Sequence, residues 1–221
     1  MLIPKILITG NPGKDIAKEI VNLYPEAHTV SRSSNSTYQM DLTIDDNIFK
    51  LAKLSTEYDI VINSALIPNF GQTRILQSIW TEWKVEKHQG HIISFGSAVD
   101  YFYRPDNRLY PVEKRALKDL NRSLSKHVNW HNSKIRCTYF SFGGVSTEKT
   151  STQWGHFLHF DPKDIANYTK WIIESPITTN IDELHITPIQ PTTKEELKKL
   201  SKNAPVKWES GDTRSFLITS E

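Results

Sequence analysis

Short runs of mostly apolar residues alternate along this chain with longer stretches in which apolar residues recur every three or four positions. The short runs are residues 5–9 (KILIT), 27–31 (AHTVS), 58–67 (YDIVINSALI), 91–97 (HIISFGS), 135–142 (IRCTYFSF) and 183–189 (ELHITPI), with residues 36–40 (STYQM) as a weaker one. Runs of this length bounded by polar and turn residues predict strands. Between them, KDIAKEIVNLY sets Ile16, Ile20, Val21 and Leu23 on one helical stripe, and residues 75–87 and 112–128 repeat that period. PKDIANYTKWIIES predicts a further helix, capped by Asp161 with Pro162 in its first turn. This order predicts an α/β fold, a parallel sheet with helices on both faces.

With 221 residues, 38% of them hydrophobic, the chain can bury one core. Residues 1–192 are read as a single domain, and residues 193–221, which turn polar and charged, as a C-terminal helix and tail. Lys+Arg (27) nearly balances Asp+Glu (25), so no strong field favours nucleic acid or a membrane surface as a partner. The single cysteine, Cys137, excludes an internal disulfide and a cysteine-only zinc site, and its apolar surroundings predict burial. No metal site is expected. The N-terminus lacks a long apolar region, and no window of about 20 apolar residues occurs, so the expectation is a soluble, cytoplasmic protein.

In open parallel sheets, ligands bind beyond the carboxyl ends of the strands, where strand order reverses. Strand-end residues therefore carry the functional information. After the first strand, Gly10-Asn11-Pro12-Gly13-Lys14 reads either as a structural turn or as a phosphate cradle, whose glycines let the backbone approach a pyrophosphate at a helix N-terminus. After the second come Ser31, Arg32 and Ser33, with no acid to bond a ribose 2′-hydroxyl; the arginine suits a 2′-phosphate, and Lys14 adds a second positive charge. Asp41 either accepts from an adenine amino group or caps the helix that follows. Ser64 and Ala65 are small enough to let a cofactor pass over the next strand end. Tyr110 and Lys114 stand four apart where Pro111 marks a helix start, so they share a face. A nearby ammonium favours the phenolate, so the expectation is a lowered tyrosine pKa. Ser97, or Ser94 if the strand ends earlier, is placed to hydrogen-bond a substrate oxygen.

Together these pieces resemble the short-chain dehydrogenase/reductase family. TGNPG resembles its glycine turn, DLT (Asp41, Leu42, Thr43) its adenine-contacting segment, and NSAL (Asn63, Ser64, Ala65, Leu66) its Asn-Asn-Ala-Gly. SFGS followed by YPVEK resembles its serine, tyrosine and lysine, with 13 residues from Ser97 to Tyr110, and SFGGVST resembles its nicotinamide-side segment. The likeness covers roughly residues 3–191. It implies a Rossmann-like doubly wound sheet, three-layer α/β/α, and NADP(H) bound by Gly10, Asn11, Gly13, Lys14, Ser31, Arg32, Ser33, Asp41, Leu42, Asn63, Ser64, Ala65, Tyr110, Lys114, Gly143, Val145 and Thr147. It also implies hydride transfer to the carbonyl of a small molecule, or from an alcohol, with Ser97, Tyr110 and Lys114 as catalytic residues and a homodimer or homotetramer as the assembly. Residues 146–160 lie where the family places its substrate lid; their Trp154, Phe157 and Phe160 either wall the substrate or anchor the loop.

The chain also departs from the pattern. The glycine turn is one residue short, with Asp15 near the place of the third glycine, and Phe142 stands where proline is usual. The interval from Asn63 to Ser94 is markedly shorter, which removes much of the helix that carries the family's fourth catalytic residue and forms its subunit contacts. Asn69, in NFGQT, is the candidate for that fourth role. The competing reading from another class is a redox sensor that holds NADP without turnover.

Overall fold

The computed structural model describes residues 4–101, 108–127, 133–147 and 159–188. All seven strands form one parallel sheet in the order β3-β2-β1-β4-β5-β6-β7. They are β1 (Ile6–Thr9), β2 (His28–Ser31), β3 (Tyr38–Gln39), β4 (Ile60–Asn63), β5 (Gly90–Phe95), β6 (Ile135–Phe142) and β7 (Glu183–Ile186). The helices between them are α1 (Asp15–Leu23), α2 (Asp45–Leu54), α3 (Gly71–Val85), α4 (Tyr110–Ser125) and α5 (Pro162–Ile173). Sequence order and sheet order agree from β4 onward and reverse between β1 and β4, which makes that junction the switch point.

Both faces of the sheet are buried. Leu7, Val30, Val61, Ile92, Cys137 and Tyr139 pack against Leu51, Ile75, Ile79, Trp83 and Leu117 of α2, α3 and α4. Ile6, Ile8, Ile62, Ile93, Phe140 and Phe142 pack on the opposite face against Ile20 of α1 and Ile165 and Ile172 of α5. Strands with apolar residues on both faces read as continuous apolar runs, which is why the sequence pattern located them. Asp161 caps α5 through a capping box with Asp164, and Pro162 sits in its first turn, as expected. Cys137 is fully buried, and burial pushes its thiol pKa up. Among the described residues, no helix is long and apolar enough to cross a membrane.

One polar residue inside this sheet gives the fold a pH dependence. His91 of β5 is buried, its Nε2 lies 2.7 Å from Thr138 Oγ1, and burial pulls its pKa down to about 3, with the charge of Arg136 a smaller cause. An unfolded chain takes up a proton at His91 below its ordinary value of about 6.5, whereas the folded chain refuses it until about 3. Stability should therefore fall as pH drops through this window, by up to about 1.4 kcal/mol per pH unit from this group. Urea midpoints measured between pH 7.5 and 4.5 should decline steeply in the native chain and more gently in His91→Gln.

Candidate active site

The switch point is built around Thr9, the last residue of β1, which pairs with Asn63 at the end of β4. Thr9 Oγ1 accepts the backbone N–H groups of Ser64 at 3.0 Å and Ala65 at 3.1 Å, while the Ser64 hydroxyl donates to the Thr9 carbonyl. Gly10 follows with φ +150°, and a Cβ there would stand 3.1 Å from both Ala17 Cβ and Ser64 Oγ. The backbone is thus bare at the crevice, and a side chain would fill it. Gly13 donates its N–H to Asn11 Oδ1 at 2.9 Å, so Asn11 shapes the turn through its own side chain. Lys14 is the N-cap of α1, which has no side-chain cap, leaving the positive end of that helix directed at the crevice. Asp15 takes φ +50°, a left-handed conformation that glycine adopts most readily. The third glycine of the turn is missing as a residue, yet a glycine-like backbone conformation persists at its place.

Ser31, Arg32 and Ser33 flank the same crevice at the end of β2. Ser31 Oγ accepts from Ser33 N at 3.0 Å and pairs with Ser36 Oγ at 2.5 Å, so the serines are engaged in holding the loop, while Arg32 is exposed. Asp41 Oδ1 accepts from Thr43 N at 3.0 Å and Thr43 Oγ1 at 2.7 Å; these bonds, with the charge of Arg32 a smaller cause, hold its carboxyl below the usual range. Asp41 therefore shapes the turn before α2 without capping the helix, whose N-cap is Ile44 and has no side-chain cap. Two expected cofactor contacts have side chains turned inward. Leu42 lies in the core beside Leu7 and Val30, and Asn63 is fully buried with its Nδ2 donating to the Gln72 carbonyl at 2.9 Å.

Tyr110 opens α4 with Pro111 in the first turn, and Lys114 follows one turn later, its Nζ 5.6 Å from the Tyr110 ring centroid. Ser97, half-buried just past β5, stands close enough for its side chain to favour the charged form of Tyr110. Ser94 is fully buried within β5, so Ser97 is the serine that meets the tyrosine. Burial raises the Tyr110 pKa; the Ser97 side chain opposes this, and the charges of Asp100 and Glu113 add to it. The expected lowering of this pKa is therefore corrected: Tyr110 is a neutral phenol across the neutral range. Burial acts on Lys114 as well. Its ammonium is buried, donates to Gln72 Oε1 at 2.6 Å and the Phe95 carbonyl at 2.7 Å, and burial pulls its pKa down to about 7 against the opposing charges of Asp100 and Glu113.

Asn69 does not join this group. It is exposed, with φ +57°, and lines a shallow hollow of about 530 Å³ with Thr43, Ile44, Asp45, Asp46 and Arg74. Sequence reasoning missed Gln72, whose signal was a polar residue on the apolar stripe of α3, in phase with Ile75, Leu76, Ile79 and Trp83. It also missed Asp100, Lys118 and Tyr139, a buried polar group beneath Ser97 in which Tyr139 donates to Asp100 at 2.6 Å and Lys118 Nζ lies 3.4 Å from Asp100 Oδ1. Beyond β6, Gly143 donates its N–H to Ile186 at 3.0 Å, and Val145 pairs with Phe160 through a parallel bridge. Thr147 ends this described segment. Of the expected lid, residues 148–158, including Trp154 and Phe157, lie outside the described residues, as does the tail over 193–221.

No family profile matches the chain. It is 25% identical over 162 residues to an uncharacterized oxidoreductase of Staphylococcus saprophyticus, a match covering 72% of this chain and 68% of that one. It is also 25% identical over 142 residues to a farnesol dehydrogenase of Aedes aegypti, covering 62% of this chain and 58% of that one. Among solved structures, a short chain dehydrogenase/reductase family protein superposes with TM-score 0.68 at 19% identity, covering 83% of this chain and 95% of that chain. ElxO with NADP bound superposes with TM-score 0.65 at 14% identity, covering 84% and 97%. A 4-hydroxyisoleucine dehydrogenase complexed with NADH superposes with TM-score 0.65 at 18% identity, covering 83% and 96%.

Proposed function

We propose that this chain, which is similar to curated oxidoreductases and shares the fold of short-chain dehydrogenase/reductase structures, is an oxidoreductase of that kind and moves hydride between NADP(H) and a small-molecule carbonyl or alcohol, with Tyr110 as general acid and base. The observation that carries this reading is the convergence of Ser97, Tyr110 and Lys114 beside the switch-point crevice. A dinucleotide fits the crevice: Gly10 leaves the space a Cβ would fill, and the uncapped start of α1 faces it. Gly10, Gly13, Lys14, Ser64 and Ala65 would hold the pyrophosphate side, with Lys114, Val145 and Thr147 toward the nicotinamide. When bound, the reduced cofactor supplies the hydride.

The chain's own residues supply the rest. The neutral Tyr110 hydroxyl gives its proton to the substrate oxygen in the reducing direction and takes it back in the oxidising one. Ser97 holds that hydroxyl and orients the oxygen it serves. Lys114, charged below pH about 7, stabilises the phenolate left after the proton has gone.

Arg32 supports NADP(H) over NAD(H), since β2 ends in Ser-Arg-Ser with no carboxylate. Fluorescence titration with each reduced cofactor tests this. NADPH should bind more tightly than NADH, and Arg32→Ala should weaken NADPH by about 10- to 100-fold, the worth of a charge-assisted bond, while leaving NADH nearly unchanged. Equal binding of both cofactors by the native chain would refute the preference, and failure of both to bind would refute the reading itself.

A further inference from the structure

Gln72 occupies the point where four elements meet: the start of α3, the ends of β4 and β5, and the first turns of α4. It is 5% exposed, and Ile67 packs directly on the neighbouring Gly71, where a Cβ would stand 2.3 Å from Ile67 Cγ2. Gln72 Nε2 donates to the Asn63 carbonyl at 2.9 Å and to the Phe95 carbonyl at 3.3 Å. Its Oε1 accepts from Lys114 Nζ at 2.6 Å, and Asn63 Nδ2 donates back to the Gln72 carbonyl at 2.9 Å. Helix packing alone does not account for this residue, because its position on the α3 stripe otherwise carries apolar side chains. An amide buried there is accommodated because both its ends are bonded.

We infer that Gln72 is a positioning residue that acts through Lys114: its amide oxygen holds the ammonium between the ends of β4 and β5 and keeps it charged, with its remaining N–H left for the reacting side. A lysine has three donors, and Gln72 and Phe95 take two of them. The amide does this without adding a charge, so Lys114 stays poised. The other groups acting on Lys114 are Asp100 after β5, Glu113 and Tyr110 of α4, and Tyr139 of β6, whose hydroxyl lies 3.2 Å from the Lys114 carbonyl; Lys118 is paired with Asp100. None of these changes when Gln72 is replaced. The inference rests on the hydride-transfer reading for its consequence in catalysis, and the test separates the two.

The ¹³Cε resonance of Lys114, identified by its loss in Lys114→Met, is titrated in the full chain, in Gln72→Met and in Gln72→Glu. Methionine keeps the length without the acceptor; glutamate keeps the acceptor. Gln72→Met should lower the Lys114 titration by about one pH unit or more, and Gln72→Glu should return it to the native value or above. In parallel, NADPH oxidation with a carbonyl panel should show kcat in Gln72→Met reduced about tenfold or more at pH 7.5, its alkaline limb displaced to lower pH in step, with recovery in Gln72→Glu. An unmoved Lys114 titration in Gln72→Met overturns the inference. If the titration moves but the native chain oxidises no NADPH, the hold on Lys114 stands and the hydride-transfer reading falls. Should Gln72→Met fail to fold, Gln72→Asn, whose amide falls one methylene short of Lys114, takes its place.

Discussion

Tyr110→Phe should reduce kcat for carbonyl reduction by about 10²- to 10⁴-fold, the usual worth of a positioned general acid, while leaving the NADPH dissociation constant essentially unchanged. The substitution removes one oxygen and keeps the ring, so packing near the Lys114 ammonium, 5.6 Å from the ring centroid, persists. What is lost is the proton that Tyr110 gives to the substrate oxygen. Stopped-flow oxidation of NADPH, read alongside an equilibrium titration, separates the two quantities. A sensor that holds NADP without turnover would be indifferent to this change, so unaltered behaviour in Tyr110→Phe would favour that reading.

The same site sets a pH profile for the native chain. Tyr110 is held protonated by burial, and Lys114 is charged only below about 7, so the rate of reduction should fall as pH rises through that point. A bound dinucleotide adds negative charge near Lys114 and moves this limb upward, more in kcat than in kcat/KM.

The central strands β1, β4, β5 and β6 were legible because each is a compact apolar run buried on both faces, and β6 begins and ends where the pattern placed it. The start of α3 was not. Its periodicity becomes visible at Ile75, but the helix begins at Gly71, just after a left-handed Phe70 and with the polar Gln72 in its first turn. The family likeness pointed to Asn69 for the fourth catalytic role because it lies beside a glycine and a threonine; the fold turns it to solvent and gives the contact with Lys114 to Gln72, 42 residues earlier in the chain than Lys114. Such a pairing leaves no local pattern. The Tyr110 pKa failed for a related reason: four-residue spacing brings tyrosine and lysine to one face, but not the desolvation that outweighs the charge. Asp100 and Lys118, 18 residues apart in sequence, leave no local pattern either, and are buried as a pair.

That pair carries the largest stability prediction. Asp100 is 3% exposed and Lys118 7%, with Lys118 Nζ 3.4 Å from one carboxylate oxygen and the Tyr139 hydroxyl 2.6 Å from the other. The Lys118 ammonium also lies 4.2 Å from the Tyr101 ring centroid. Asp100→Asn keeps shape and an acceptor for Tyr139 but strands the ammonium in the interior, and breaking a buried pair in this way costs about 3–5 kcal/mol. The urea midpoint should drop accordingly. Adding Lys118→Met removes the stranded charge, and the double variant should recover most of the loss, because buried pairs replaced by apolar groups are often neutral in stability. A single variant as stable as the native chain would show that the pair contributes nothing. The double variant also separates stability from positioning. The Asp100 carboxylate also raises the Lys114 pKa against the effect of burial, whereas the backbone bond from Asp100 N to the Ser97 carbonyl is untouched by either substitution. With stability restored but that charge gone, kcat near neutral pH should remain below the native value. Full recovery of kcat would reduce the buried pair to a purely structural role.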